Sequence, residues 1–332
     1  MNKHRFVNQY WYRRAWLSCL LLPLSGVFWL LTTLRRFAYR VGILRTTQLS
    51  VPVIVVGNIV VGGAGKTPLV IWLAKALKTN GYQPGILTRG YPLKIAGAPR
   101  LVHPEATADD VGDEALLLAK KTDCPVMVHA SRVGAGQALL SQFPGCDVII
   151  SDDGLQHYAL HRDIEIAVID GERRCGNRFM LPAGPLREPR SRFKDVDFIV
   201  CNGKPLDEVK RCREYVMRYV SQHFHNVADP LERLGYTCFL DQPVHAVAGI
   251  GHPDRFFHSL REMGLTVIAH PFPDHHHFVA SDFAFDDDLP VLMTEKDAVK
   301  CKAFAKPHYW TLPITVECDS AFAAAILEEL KA

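Results

Sequence analysis

Residues 57–68 read GNIVVGGAGKTP, a glycine-rich run that ends in Gly65-Lys66-Thr67. The strict phosphate-loop pattern G-x-x-x-x-G-K-[ST] requires glycine at position 60, where this chain has Val60; its glycines stand at 57, 62, 63 and 65. The flanks still read as a phosphate site. Residues 51–56, VPVIVV, are the β-branched apolar run of a buried parallel strand, and 69–78, LVIWLAKALK, have helical apolar spacing. Strand, glycine turn and helix together aim backbone N–H groups and a helix N-terminus at an anion. Gly62, Gly63 and Gly65 let the backbone wrap closely, having no Cβ and accepting positive φ. Lys66 then becomes the candidate for the β- and γ-phosphates, and the Thr67 hydroxyl for Mg²⁺. A glycine turn without a ligand is the alternative, and Gly-Lys-Thr at the helix start weighs against it.

At 332 residues and 48% hydrophobic the chain can bury a large core and is long enough for two domains. Its 9 cysteines are an odd number with no CxxC pair. That argues against a disulfide framework or a zinc ribbon and fits a reducing compartment. The net charge of +3 hides an asymmetry: residues 1–104 hold 14 Lys/Arg and no acid, and the remainder is −11. A basic N-terminal third calls for an anionic partner.

Residues 15–34, AWLSCLLLPLSGVFWLLTTL, carry no charge. As a helix they would cover about 30 Å, enough to cross a bilayer. Arg13 and Arg14 precede the run; Arg35, Arg36 and Arg40 follow it. Its length and the absence of a small-residue cleavage site argue against a signal peptide. Basic residues at both ends give no orientation. At about 100° per residue, Arg14, Ser18, Ser25, Thr32, Arg36 and Arg40 share one narrow stripe. The expectation is a helix lying in the membrane interface, apolar side in acyl chains and arginines at headgroups, rather than one that spans. A hydrophobic helix buried against the domain is the alternative.

Further along, CDVIISDDGLQH (146–157) reads as a strand ending in Asp152 and Asp153, where phosphate-loop enzymes hold Mg²⁺. An Asx turn is the plainer reading. IEIAVIDG (164–171) is another apolar strand, ending in Asp170; the Gly-, Pro- and Arg-rich segment after it has no period, and Arg187 and Glu188 there can serve an anionic, hydroxylated ligand. In TADDVGDEALLLA (107–119), Asp113 and Glu114 open a helix, either as dipole-favoured caps or as the carboxylates a hydroxyl nucleophile needs. VHAVAGI (244–250) begins a second α/β unit. HPFPDHHHF (270–278) follows another strand; consecutive histidines rarely face one ion, so a single histidine paired with a carboxylate in an interdomain cleft is expected there. LPVLMTEKDAVK (289–300) reads as strand, Thr294 cap and helix, which needs no ligand.

These segments, with LTRGY at 87–91, LPAGPLREP, AGIGHP and FPDHH, occur in the order seen in the tetraacyldisaccharide 4′-kinases of lipid A biosynthesis. The resemblance runs from about residue 10 to 310 and includes the longer glycine spacing of the loop. It implies a P-loop NTPase-like α/β/α domain and a smaller second α/β/α domain closing on nucleotide. The corresponding division is a membrane-associated N-terminal helix at 1–45, the kinase core at 46–228 and the C-terminal unit at 229–332. It further implies an ATP- and Mg²⁺-dependent kinase on the cytoplasmic face of the bacterial inner membrane. Such enzymes phosphorylate the 4′-hydroxyl of an acylated glucosamine disaccharide 1-phosphate, giving lipid IV-A. By the same resemblance Asn58, Gly62, Gly63, Ala64, Gly65, Lys66, Thr67 and Pro68 hold nucleotide, and Thr67, Asp152 and Asp153 hold the metal. Asp113 is the proposed base and pairs with a histidine of the DHHH run, His275 or else His276. Arg89, Glu114, Gln156, His157 and Arg187 are the substrate-side candidates.

The rival class is a membrane-associated partitioning ATPase with the loop K-G-G-x-G-K-T. Here Val61 replaces that loop's signature lysine and removes a charge such proteins supply across their dimer interface. A nucleic-acid NTPase is disfavoured because the basic residues surround an apolar run that a phosphate-tracking groove does not require. Phospholipid is the better partner.

Overall fold

The computed structural model describes residues 11–12, 16–90, 97–206, 213–221, 223–229 and 231–331; Arg13, Arg14 and Tyr91 of the segments above lie outside them. The β-branched run forms β1 (Val53–Gly57), buried along its whole length. Its parallel neighbours are β5 (Val148–Asp152) and β6 (Ile164–Asp170). Beyond β5 lie β2 (Pro84–Thr88), β4 (Val126–Val128) and the antiparallel edge β3 (Arg100–Leu101). Beyond β6 lie β7 (Phe198–Asn202), β8 (Arg213–Val220) and the antiparallel edge β15 (Thr315–Cys318), which completes nine strands.

The helices Lys66–Thr79, Asp113–Thr122 and Ser320–Glu329 press Leu69, Leu73, Leu116 and Phe322 onto one face of this sheet. The helix Arg132–Gln142 sets Ala135 and Leu139 on the other. The chain leaves β1 toward β2 on one side and later lays β6 on the other. Such a reversal of strand order opens a crevice at the carboxyl ends of the strands. Gly57, Asp152 and Asp170 are the last residues of the three adjacent strands at that point.

A second sheet has the order β10 (Arg233–Gly235), β9 (His223–Asn226), β14 (Tyr309–Leu312), β13 (Val291–Thr294), β11 (Val244–Ala248) and β12 (Val267–Pro271). It is parallel from β14 to β12. The helix Pro253–Glu262 covers one face with Phe257 and Leu260, and the helix Glu295–Cys301 the other with Ala298 and Cys301. Strand membership departs from the sequence division at residue 229 in two places. β9 ends before it yet pairs in the second sheet, and β15 with the last helix returns to the first. The reason is pairing: Thr315–Cys318 finds the open edge of β8, while Phe322 stacks on Trp72 at 5.5 Å.

The N-terminal region corrects one expectation. The uncharged run is split into helices Trp16–Leu20 and Leu22–Arg40, and among the described residues no helix is long and apolar enough to cross a membrane. Two hydroxyls of the polar stripe face inward rather than outward. Ser18 and Ser25 are buried; Ser25 Oγ donates to the Met180 carbonyl (2.8 Å) and accepts from Ala183 N (3.0 Å), while Asn177 Nδ2 donates to Ser18 Oγ at 3.2 Å. Arg36 Nη2 pairs with Asp195 at 2.8 Å. The hydroxyls are the side that docks on the 177–183 segment, because buried backbone polar groups there need partners. Leu30, Leu31, Leu34 and Phe37 are at least half exposed on the outside.

Candidate active site

The glycine-rich loop joins β1 to the helix Lys66–Thr79. Val60, where the strict pattern has glycine, bridges to Leu186, and Val61 N donates to the Pro185 carbonyl at 2.8 Å. These valines anchor the loop to a neighbouring segment, which accounts for the longer glycine spacing. Buried Asn58 Nδ2 reaches the Gly62 carbonyl at 3.4 Å, and Asn202 Nδ2 donates to the Ala64 carbonyl at 3.2 Å. Gly65 has φ +98°, and a Cβ there would lie 2.5 Å from the Tyr219 hydroxyl and 2.6 Å from Met217 Cε. Only glycine fits. Thr67 and Pro68 stand in the first helical turn, where proline's missing N–H removes no helical bond.

Lys66 Nζ lies 3.0 Å from Asp153 Oδ1, and Arg187 Nη1 donates to both Asp153 oxygens at 3.2 Å. Burial works to raise the Asp153 pKa, but these two cations outweigh it and hold the carboxyl well below its ordinary range. Asp153 adopts φ +49°, a left-handed conformation rare for a non-glycine residue. Its neighbour Asp152 is buried, and its Oδ1 has no hydrogen-bond partner. Burial first, then the Glu114 charge, raise the Asp152 pKa to about 7 against the pull of Lys66. An unpartnered buried carboxylate oxygen beside a phosphate loop has the chemistry to ligate a hard cation.

A second cluster joins the two sheets. Asp113 opens the helix Asp113–Thr122, and both of its oxygens face His275 Nδ1, at 3.2 and 3.1 Å. His276 turns away: its Nε2 lies 3.0 Å from Asp282 Oδ2 and its ring packs beside Phe272 and Phe278. His275 also has a left-handed φ, +60°. Lys300 Nζ lies 3.2 Å from Asp113 Oδ2. Lys296 Nζ reaches Glu114 at 3.1 Å, Asp274 at 3.4 Å and His275 Nε2 at 3.3 Å. Burial opposes ionisation of Asp113, yet the His275 hydrogen bond and the two lysine charges lower its pKa to about 2.

Residues 17–331 match the family model described as tetraacyldisaccharide-1-P 4′-kinase. The chain belongs to this family. It is 49% identical over 326 residues to the tetraacyldisaccharide 4′-kinase of Methylobacillus flagellatus, covering 98% of this chain and 96% of that one. To the tetraacyldisaccharide 4′-kinase of Azoarcus sp. (strain BH72) it is 50% identical over 324 residues, 97% of this chain and 94% of the other. Among solved structures it resembles the "apo" form of LpxK from Aquifex aeolicus in complex with ATP. That match has a TM-score of 0.79 and 29% identity, over 95% of this chain and 99% of that one. Membership in a kinase family decides against the partitioning-ATPase alternative.

Of the substrate-side residues expected in such a kinase, Arg89 is exposed just beyond β2. His157 sits among cations: burial, then the Arg132 charge, lower its pKa to about 4, and Arg89 and Arg35 act the same way. Gln156 is committed inside the protein, its Nε2 donating to the Asn58 carbonyl (3.1 Å) and Glu188 (3.0 Å). Glu188 does not face a ligand as expected; it is buried among Gln156, Tyr158 and Arg192 and braces the loop. Three functional neighbours were missed. Lys296 and Lys300 share a helix face at i, i+4 spacing, a readable signal in a helix taken to need no ligand. Arg132, buried with Nη2 2.9 Å from the Asp152 carbonyl, carried no signal in its sequence.

Proposed function

We propose that the protein transfers the γ-phosphoryl group of ATP to the 4′-hydroxyl of an acylated glucosamine disaccharide 1-phosphate, at the crevice between its two sheets. One observation carries this assignment of residues: a Cβ on Gly251 of the six-stranded unit would lie 3.2 Å from Asp274 Oδ2 and 3.6 Å from Gly63 N of the phosphate loop. The phosphate loop and the Asp274–His275 turn that meets Asp113 therefore line one crevice. ATP as donor is supported by the family and by the ATP complex of the Aquifex aeolicus relative.

In this reading the loop amides and Lys66 hold the phosphates, and Arg187 shares with Lys66 the carboxylate that positions both. Asp152, with Asp153 and the Thr67 hydroxyl, would hold Mg²⁺, which supplies charge neutralisation at the β- and γ-phosphates when bound. Among the described residues no three His, Cys, Asp or Glu side chains gather round one metal point. Mg²⁺ commonly takes one or two carboxylates, with phosphates and water for the rest, so the donor set fits it. The acceptor hydroxyl hydrogen-bonds to Asp113; the O4′–Pγ bond forms as the Pγ–O bond to the leaving ADP breaks, and the hydroxyl proton passes to Asp113. A carboxylate held at a low pKa accepts that proton late, as suits a loose phosphoryl transition state. His275 donates from Nδ1 and keeps the carboxylate aimed.

The outward apolar face of Leu22–Arg40 supports attachment to the inner-membrane phospholipid surface from the cytoplasmic side. Arg35 at its end bears on His157 beside Arg89 and Arg132, a cationic border suited to an anionic lipid. The test is transfer of labelled γ-phosphate to tetraacyldisaccharide 1-phosphate in detergent micelles. Lys66→Ala and Asp152→Asn should each lower the rate by roughly 10³-fold or more. Phosphate released to water with no labelled lipid refutes the proposal.

A further inference from the structure

We infer that Lys296 is a positioning residue: its ammonium fixes His275 as the neutral Nδ1–H tautomer and so directs that ring's one proton at Asp113. The inference rests on the reading of Asp113 and His275 given above. Two contacts impose the tautomer independently. Asp113 can only accept, so the Nδ1 that faces both of its oxygens must carry a hydrogen. An ammonium can only donate, so the Nε2 lying 3.3 Å from Lys296 must present its lone pair. The Nε2–H tautomer fails at both ends, and the imidazolium sets Nε2–H against a cation.

The surroundings hold Lys296 to this task. Its side chain is largely buried, and although burial disfavours its charge, Glu114 and Asp113 raise its pKa, so it stays an ammonium. Glu114 and Asp274 take its other hydrogens, at 3.1 and 3.4 Å. Asp274 Oδ1 also lies 3.8 Å from His275 Nε2, too far to bond, and can accept from that nitrogen if Lys296 is lost. Among the described residues Lys300 also faces the pair, on Asp113. The ring's own backbone is braced, with His275 N on the Gly249 carbonyl at 3.2 Å and Gly249 N on buried Asp297 at 3.0 Å. Lys296 comes from the six-stranded unit and Glu114 from the nine-stranded one, so the tautomer is fixed only where the two units meet.

The experiment is a long-range ¹H–¹⁵N spectrum of the histidine-labelled full chain in detergent micelles, His275 being assigned from the signals missing in His275→Gln. The parent should show a protonated Nδ1 and a bare Nε2. Lys296→Met should gain a proton at Nε2 and lose about 10- to 100-fold in kcat, with KM for the lipid within about threefold. Lys296→Arg, which still donates, should restore the bare Nε2 and most of kcat. A parent ring carrying Nε2–H overturns the inference with no variant needed. So does Lys296→Met if kcat falls while the tautomer stays, or if neither changes. If Asp113→Asn and His275→Gln both transfer phosphate at the parental rate, the underlying reading of the pair fails instead.

Discussion

Gly65→Ala tests whether the loop owes its shape to one residue. Placing a side chain at φ +98° costs about 1–2 kcal/mol, since left-handed backbone crowds Cβ against its carbonyl. The new Cβ would also lie 2.5 Å from the Tyr219 hydroxyl, 2.6 Å from Met217 Cε and 2.8 Å from Asn202 Nδ2. Met217 can swing away, but Asn202 cannot move freely: it holds the Ala64 carbonyl at 3.2 Å and accepts from Arg255 at 2.9 Å. Displacing it loses a hydrogen bond worth about 1 kcal/mol and adds overpacking. The sum is about 2–4 kcal/mol. If the loop itself yields, ATP should bind roughly 30- to 700-fold more weakly, at about 1.4 kcal/mol per tenfold, with little change in Tm. If Asn202 and Tyr219 yield, Tm should drop by several degrees while affinity falls less. Calorimetric titration with MgATP and a thermal melt on the same preparation separate the two. A variant that matches the parent in both would refute the close packing inferred here.

Asp152 must be ionised to hold a cation, and its pKa is raised to about 7 by burial and then by Glu114. At limiting Mg²⁺, kcat/KM should therefore rise with pH through about 7, and Glu114→Gln, which removes a like charge, should move that limb to lower pH; a limb that stays or moves up contradicts the assignment. Ser25→Ala leaves the Met180 carbonyl and the Ala183 N–H without their buried partner, a cost of about 1–3 kcal/mol. Hydrogen exchange in Leu22–Arg40 should accelerate by about 5- to 150-fold, and unchanged protection would mean the hydroxyl does not dock the helix. Glutamate at Leu30, Leu31 and Leu34, each at least half exposed, should abolish sedimentation with anionic vesicles while MgATP affinity holds; vesicle binding at the parental level would place the membrane contact elsewhere.

Local features were legible where local physics decides them. The strand Val53–Gly57, the helix from Lys66 and the carboxylates closing β5 follow from β-branched runs and helical spacing that need no distant partner. The polar stripe of the N-terminal helix was visible but its direction was not. Periodicity sorts residues onto a side; it does not say whether hydroxyls on that side meet water or the backbone groups of Met180 and Ala183. The return of Thr315–Cys318 to β8 was likewise hidden, since nothing in four alternating residues names the sheet they join. Which histidine of the DHHH run meets Asp113 depends on the left-handed turn at His275 and on Asp282 holding His276, contacts set by tertiary packing.

The arrangement of charge explains why the two halves of the site are built differently. Around the phosphate loop, Lys66 and Arg187 share a single carboxylate, Asp153, whose side chain is more than a third exposed. A nucleotide's phosphates can compete for Lys66 there without stranding Asp153, because Arg187 keeps its own pairing with that carboxylate. Around Asp113 the pairing is dense and drier: Lys296, Lys300 and His275 converge on a carboxyl only 3% exposed. Exchanging partners in that cluster would strand a buried charge, at several kcal/mol. On the proposed reading, the loop trades an internal anion for an incoming one, whereas the Asp113 cluster keeps its geometry while the acceptor hydroxyl arrives. Asp152 lies between them, touched by the charge of each half. On the proposed reading, a cation brought to its unpartnered oxygen would be felt by both halves at once and would make phosphate capture and hydroxyl positioning interdependent.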